Sequence, residues 1–136
     1  MQKQFLVMSG FSGAFAVALG AMGAHFLKSK LEMGLITENN LQTFETAVRY
    51  HLFHSIALLV TVLLTDKMNS KLLPKAGYCF IAGIVFFSGS LYFLSTAGLI
   101  GLTNVRWLGP ITPIGGVFLI TGWLLLAFSA VKKSDI

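Results

Sequence analysis

At 136 residues, 55% hydrophobic and only 11% charged, the chain carries far less charge than a soluble domain, in which about a quarter of residues are charged. So short a chain has too much surface for its volume to hide that apolar area in a water-soluble core, and lipid is the expected solvent. The net charge of +5 does not point to nucleic acid, because the basic residues punctuate the apolar runs instead of forming a patch.

The first apolar stretch, residues 5–27, would be about 34 Å long as a helix, enough to cross ~30 Å of hydrocarbon. Lys3 ahead of it and the small residues of AMGA allow a signal-peptide reading, but its length and glycine content favour a retained span. Ser9, Gly13, Ala16, Gly20 and Gly23 recur along it at alternating spacings of four and three, so they share one helix face. Lipid supplies no hydrophobic drive between helices, and a bare face lets a second backbone come close enough for dispersion to act. A pore lining would need more polar groups than Ser9 and Ser12 supply. His25 falls near the end of this span.

The second stretch, residues 44–65, opens with TFETAVRYHLFH, an unusually polar start for a membrane span. Counting from Thr65, His54 lies near the midplane, about 16 Å in, and Arg49 about 24 Å along, just under the far edge. Glu45 and Arg49 are spaced i, i+4 with the acid first, the favourable order for an ion pair. The Arg49 side chain is expected to snorkel outward toward Glu45, with Tyr50 at the same interface. His51 and His54 fall on another face together with Ala47 and Leu58. A polar ring at mid-membrane must find a partner, and Ser88 or Ser90 is the expected one for His54.

The third stretch, residues 76–100, is interrupted by Ser88, Gly89 and Ser90, read as helix-contact chemistry, with ligand contact as the alternative. The fourth, residues 111–131, opens within GPITPIGG. Thr112 followed by Pro113 predicts an N-cap and a first helical residue, after which Gly115 and Gly116 leave the first turn bare. That bareness suits close helix packing, or the approach of an anionic ligand to free N–H groups. His25, Arg106 and Thr112 should reach the same half of the membrane as Arg49.

The expected architecture is all-α: a single domain over residues 1–136, with four transmembrane helices in an up-down bundle. An even number of spans puts both termini and the 66–75 loop on one side, with Lys3, Lys67, Lys71, Lys75, Lys132 and Lys133. Only Lys28, Lys30 and Arg106 occupy the other side, so both termini are expected in the cytoplasm.

Four stretches occur in an order that resembles a known family: GAMGAHFLK (20–28), TFETAVRYHLFHSIALL (43–59), FSGSLYFL (87–94) and LGPITPIGGVFLITGWLLLA (108–127). They are similar to domain-of-unknown-function family 423, small integral membrane proteins to which the animal transmembrane protein 256 is related. The resemblance covers nearly the whole chain and implies a four-helix protein of the bacterial inner membrane, but no reaction. Its signature positions here are Gly23, His25, Arg49, His54, Ser88, Gly89, Tyr92, Pro113, Gly115, Gly116 and Trp123.

Three functions compete. A non-enzymatic component would bind membrane lipid, a protein partner or a second copy through the polar groups His25, Glu45, Arg49, His51, His54, Ser88, Ser90, Arg106 and Thr112. A small exporter would be expected to carry a membrane-embedded acid, and only Glu45, at the edge, is available. A haem protein or enzyme would have to use His25 with His54, which lie at different depths. No HExxH, carboxylate pair or phosphate loop is present, and the single Cys79 allows no internal disulfide. No catalytic residue, metal ligand set, cofactor or nucleic-acid partner is therefore expected, and the lipid-binding reading leads.

Overall fold

The computed structural model describes residues 2–131 and, among them, contains helices and no strands. Four helices are long and apolar enough to cross a membrane. Helix α1 runs Gln2–Glu32, α2 Glu38–Thr65 and α3 Leu72–Ile100, and α4 is Ile111–Val131. Short connections alternate their direction, as in an up-down bundle. The end with the α1–α2 and α3–α4 connections, away from the termini, is called the distal end below.

The first three helices are longer than the apolar stretches predict, because caps rather than hydropathy set their ends. At the distal end of α1, Gly34 adopts φ 71°. Its N–H donates to the Leu31 carbonyl at 2.9 Å, and the Leu35 N–H to the Lys30 carbonyl at 2.9 Å. This pair of bonds is the glycine-closed stop that satisfies a helix's last carbonyls. Thr37 then caps α2, whose first residue Glu38 lies six residues before the predicted limit: the Thr37 hydroxyl accepts from the Asn40 N–H, and the Asn40 side chain accepts from the Thr37 N–H. At the other end of the bundle the Gln2 side-chain amide donates to Asp66 Oδ1 at 2.8 Å, tying the start of α1 to the end of α2.

Two helices carry π-helical turns, Gly23–Leu27 in α1 and Ile84–Ser88 in α3. Helix α1 packs on α2, α2 on α3, and α3 on α4. Helix α2 is the most enclosed of the four. Leu27, Ile36, Leu41 and Phe44 fill the distal end, Ala57, Ala76, Phe80 and Leu119 the middle, and Phe5, Leu58 and Val62 the terminal end. Large apolar side chains also cover the outside, among them Phe11, Phe53, Val85, Val117, Ile120 and Phe128. That is the surface of a bundle whose solvent is lipid.

The small residues of α1 turn toward α2. A Cβ on Gly23 would come within 3.0 Å of Phe44 Cδ1, and one on Gly20 within 3.3 Å of Val48 Cγ1. A Cβ on Gly13 would stand 4.0 Å from Ser55 Cβ; Ala16 and Ser9 are buried, and the Ser9 hydroxyl donates back to the Leu6 carbonyl at 2.8 Å. Gly115 of α4 lies directly on the α3 backbone at Phe86–Phe87, while a Cβ on Gly116 would meet only the Phe87 ring, at 3.8 Å. Gly89 departs from the expected packing role: it is exposed, and a Cβ there would meet nothing within 4 Å. The α3 glycine that faces α4 is Gly83, buried against Leu119.

Candidate functional site

The polar start of α2 divides into a buried face and an exposed one. On the buried face His51 is only 5% exposed and joins three helices. Its Nε2 lies 3.0 Å from Ser12 Oγ of α1, and its Nδ1 lies 3.0 Å from the Tyr92 hydroxyl of α3. Ser12 Oγ is in turn 2.6 Å from Ser55 Oγ, which donates to the His51 carbonyl at 2.8 Å. The donor directions follow from the partners. Ser55 spends its proton on the carbonyl, so Ser12 must donate to Ser55. Ser12 then accepts from His51 Nε2–H, and Nδ1 accepts from the Tyr92 O–H. Every polar hydrogen in this set has an acceptor, as a water-free interior requires.

His54 solves the same problem with a partner other than the one its sequence position suggests. Its Nδ1 lies 2.6 Å from the Tyr50 carbonyl, one turn back on its own helix, and its Nε2 accepts from Trp123 Nε1–H of α4 at 3.1 Å. The expected bond to Ser88 or Ser90 is not made. Ser90 donates to the Phe87 carbonyl at 2.9 Å, and the Thr112 hydroxyl, 2.6 Å away, donates to Ser90. Thr112 is thereby a bridge from α4 to α3 and not a helix cap. Gly109 is already helical (φ −52°, ψ −50°) and α4 begins at Ile111, so the cap position has passed before Thr112.

Among the described residues Ser88 is the exception to this rule for buried side chains: it is 1% exposed and its hydroxyl has no partner. A buried hydroxyl left unpaired costs about 1–3 kcal/mol. Ser88→Ala is therefore expected to raise the thermal stability of the detergent-solubilised protein by about 1 kcal/mol. A loss of stability would mean that Ser88 has an acceptor in the folded protein.

On the other face Glu45 and Arg49 are both exposed, and among the described residues their side chains form no ion pair within 4.0 Å. The i, i+4 spacing and order therefore do not close an ion pair between them. Both line a groove of about 290 Å³ between α1 and α2, with Gly20, Gly23 and Ala24 as its bare floor and Phe44 and Val48 as its wall. A larger groove of about 440 Å³ lies between the distal ends of α1 and α3. Its one cation, Lys30, has its ammonium 5.0 Å from the centre of the Phe26 ring.

His25, in the α1 π-turn, and Arg106, in a 3-10 turn before α4, are exposed and make no side-chain hydrogen bond or ion pair among the described residues. Neither is hydrogen-bonded or ion-paired to another of the distal polar groups among the described residues. With both nitrogens of His54 engaged and His25 exposed, these two histidines do not make a ligand pair. No group of three His, Cys, Asp or Glu suited to a metal occurs among the described residues. The parts that sequence reasoning missed are partnerships: Ser12 and Tyr92 with His51, and Trp123 with His54. Ser55, one turn after His51, was the available signal for the first.

A family model described as "Protein of unknown function (DUF423)" matches residues 19–116. The chain belongs to this family. It is 40% identical over 131 residues to UPF0382 membrane protein YwdK of Bacillus subtilis, covering 96% of this chain and 98% of that protein. It is 41% identical over 130 residues to a UPF0382 membrane protein of Staphylococcus epidermidis, covering 96% and 97% of the two chains. A UPF0382 membrane protein of Haemophilus influenzae is 36% identical over 137 residues, covering 100% of both. No solved structure matches. The chain is a multi-pass membrane protein, as the names of these relatives and its four candidate spans together establish. The matched family segment contains Arg49, His51, His54 and the Ser88–Tyr92 stretch but ends before Trp123 and begins after Ser12.

Proposed function

We propose that the protein is a non-catalytic component of the bacterial plasma membrane that holds a phospholipid by its phosphate in the α1–α2 groove. The observation that carries this reading is Arg49, exposed at that groove and not neutralised by Glu45. A guanidinium in an apolar surrounding keeps its charge and presents a planar fork of donors that fits phosphate two bonds at a time. The bare floor of Gly20, Gly23 and Ala24 leaves room for an acyl chain beneath the headgroup. An exporter or an enzyme has less support. Glu45 is exposed instead of being embedded in the bundle, and the nitrogens of His51 and His54 bond to neighbouring side chains and backbone.

Native mass spectrometry of the full chain in detergent tests the reading by comparing retained phospholipid in wild type, Arg49→Lys and Arg49→Gln. Arg49→Gln should lose the lipid, and Arg49→Lys should retain it only in part because the fork is gone. Equal retention by three equally stable proteins would overturn the proposal. The Lys and Arg bias further supports cytoplasmic termini, and on that reading the groove opens to the outer leaflet. An impermeant thiol reagent should then label a cysteine at Asn39 and spare one at Lys71 in intact cells, and the reverse pattern would put the groove in the inner leaflet.

A further inference from the structure

We infer that the Glu45–Arg49 groove selects a zwitterionic phospholipid with a primary ammonium, an ethanolamine headgroup, over anionic and quaternary-ammonium lipids. The inference rests on the proposed phosphate contact at Arg49 and adds to it the role of Glu45. The two side chains stand one turn apart on the same exposed face of α2 and share one groove. They have the spacing and order that favour an internal ion pair, yet make none. Each charge is therefore open to a ligand, and a ligand carrying both signs meets both.

Depth supplies the second argument. Helix α2 begins at the distal edge, so Glu45 lies about 6 Å nearer that edge than Arg49. Side chains lean toward the N-terminus of their helix, which here points both groups at the headgroup layer. In an ethanolamine phospholipid the phosphate is the deeper charge and the ammonium the shallower, joined by a two-carbon bridge. Phosphate on Arg49 and ammonium under Glu45 reproduces that order, whichever leaflet the distal end occupies. A glycerol headgroup gives Arg49 its phosphate but brings Glu45 only neutral hydroxyls, which donate a hydrogen bond without charge attraction. A choline headgroup offers the cation without N–H donors, so the carboxylate gains charge attraction but no hydrogen bond. The neighbouring Lys30 groove has no such pair, since its one cation stands over Phe26.

The test is lipid exchange on the full chain in detergent, with phosphatidylethanolamine, phosphatidylglycerol and phosphatidylcholine competing, read by native mass spectrometry. Wild type should prefer the ethanolamine lipid by about threefold or more over each of the others, the size of an exposed ion pair. Glu45→Gln should keep a bound phospholipid and lose that preference. Glu45→Lys should reverse it toward phosphatidylglycerol, and Lys30→Gln should leave it unchanged. Thermal unfolding of each variant checks that the exposed substitutions leave the fold intact. If wild type and Glu45→Gln bind the three lipids in the same ratio, the headgroup inference fails while phosphate binding at Arg49 stands. If Arg49→Gln also retains lipid fully, both fail. If Lys30→Gln is the variant that abolishes the preference, the selective site is the α1–α3 groove and the inference is again overturned.

Discussion

Gly115→Ala is expected to destabilise the bundle by about 3 kcal/mol or more, the upper range for overpacking a site that cannot relax. A Cβ on Gly115 would overlap the Phe87 amide nitrogen and stand 2.7 Å from the Phe86 carbonyl carbon and Phe87 Cα. Where the obstacle is the end of a side chain, a rotamer change relieves it. Here it is the main chain of α3, held by its own hydrogen bonds, so α4 must move away as a body. That movement would also stretch the Ser90–Thr112 bond one turn earlier and the His54–Trp123 bond further along. Two glycines serve as controls of opposite expectation. A Cβ on Gly116 would meet only the Phe87 ring at 3.8 Å, and one on Gly89 would meet nothing within 4 Å. At those positions alanine removes glycine's conformational cost in a helix, about 0.5–1 kcal/mol, so both variants should match or exceed the parent. Thermal unfolding in detergent separates the cases, and a Gly115→Ala protein as stable as Gly116→Ala would contradict the close backbone crossing.

What the chain reveals before folding follows the same division between surface and contact. Hydropathy alone locates four spans, because a bilayer imposes a length on every apolar helix. It does not locate their ends: Thr37 with Asn40 and the left-handed Gly34 set those through local hydrogen bonds that hydropathy does not register. The small face of α1 could be read directly, since Ser9 to Gly20 lies in unbroken α-helix before the π-turn. Gly89 departs from the packing role that the Ser-Gly-Ser interruption suggests. It stands between Ser88 and Ser90, which are both buried, and is itself exposed, so the two serines and not the glycine meet the bundle. His54 illustrates a further limit. Its need for a partner is plain from its depth, but which partner answers depends on how α4 is rotated, and Trp123 reaches it where Ser88 and Ser90 do not.

The largest effect expected from a polar substitution is at His51, where His51→Phe should cost about 2 kcal/mol although the ring is replaced by one of similar size and greater hydrophobicity. The loss comes from the partners. Tyr92 would keep its hydroxyl with no acceptor, and Ser12 would lose the donor that now fills its lone pair. Ser12 would still donate to Ser55, so the damage falls mainly on the α2–α3 side, where Tyr92 also packs on Phe44 with ring centres 5.1 Å apart. Hydrogen bonds between membrane helices average only about 0.6 kcal/mol, because the separated helices find other partners. An orphan left in the packed bundle has no such recourse. Tyr92→Phe alone should therefore cost less than His51→Phe, since an unfilled ring acceptor is less harmful than a stranded hydroxyl. Adding Tyr92→Phe to His51→Phe should then recover part of the loss, giving a coupling of about 1 kcal/mol between the two positions. Denaturant titration in mixed micelles of the parent, both single variants and the double variant measures that coupling. Strictly additive losses would show that His51 and Tyr92 stabilise the bundle independently, and the three-helix hydrogen-bond set would lose its claim to hold α1, α2 and α3 together.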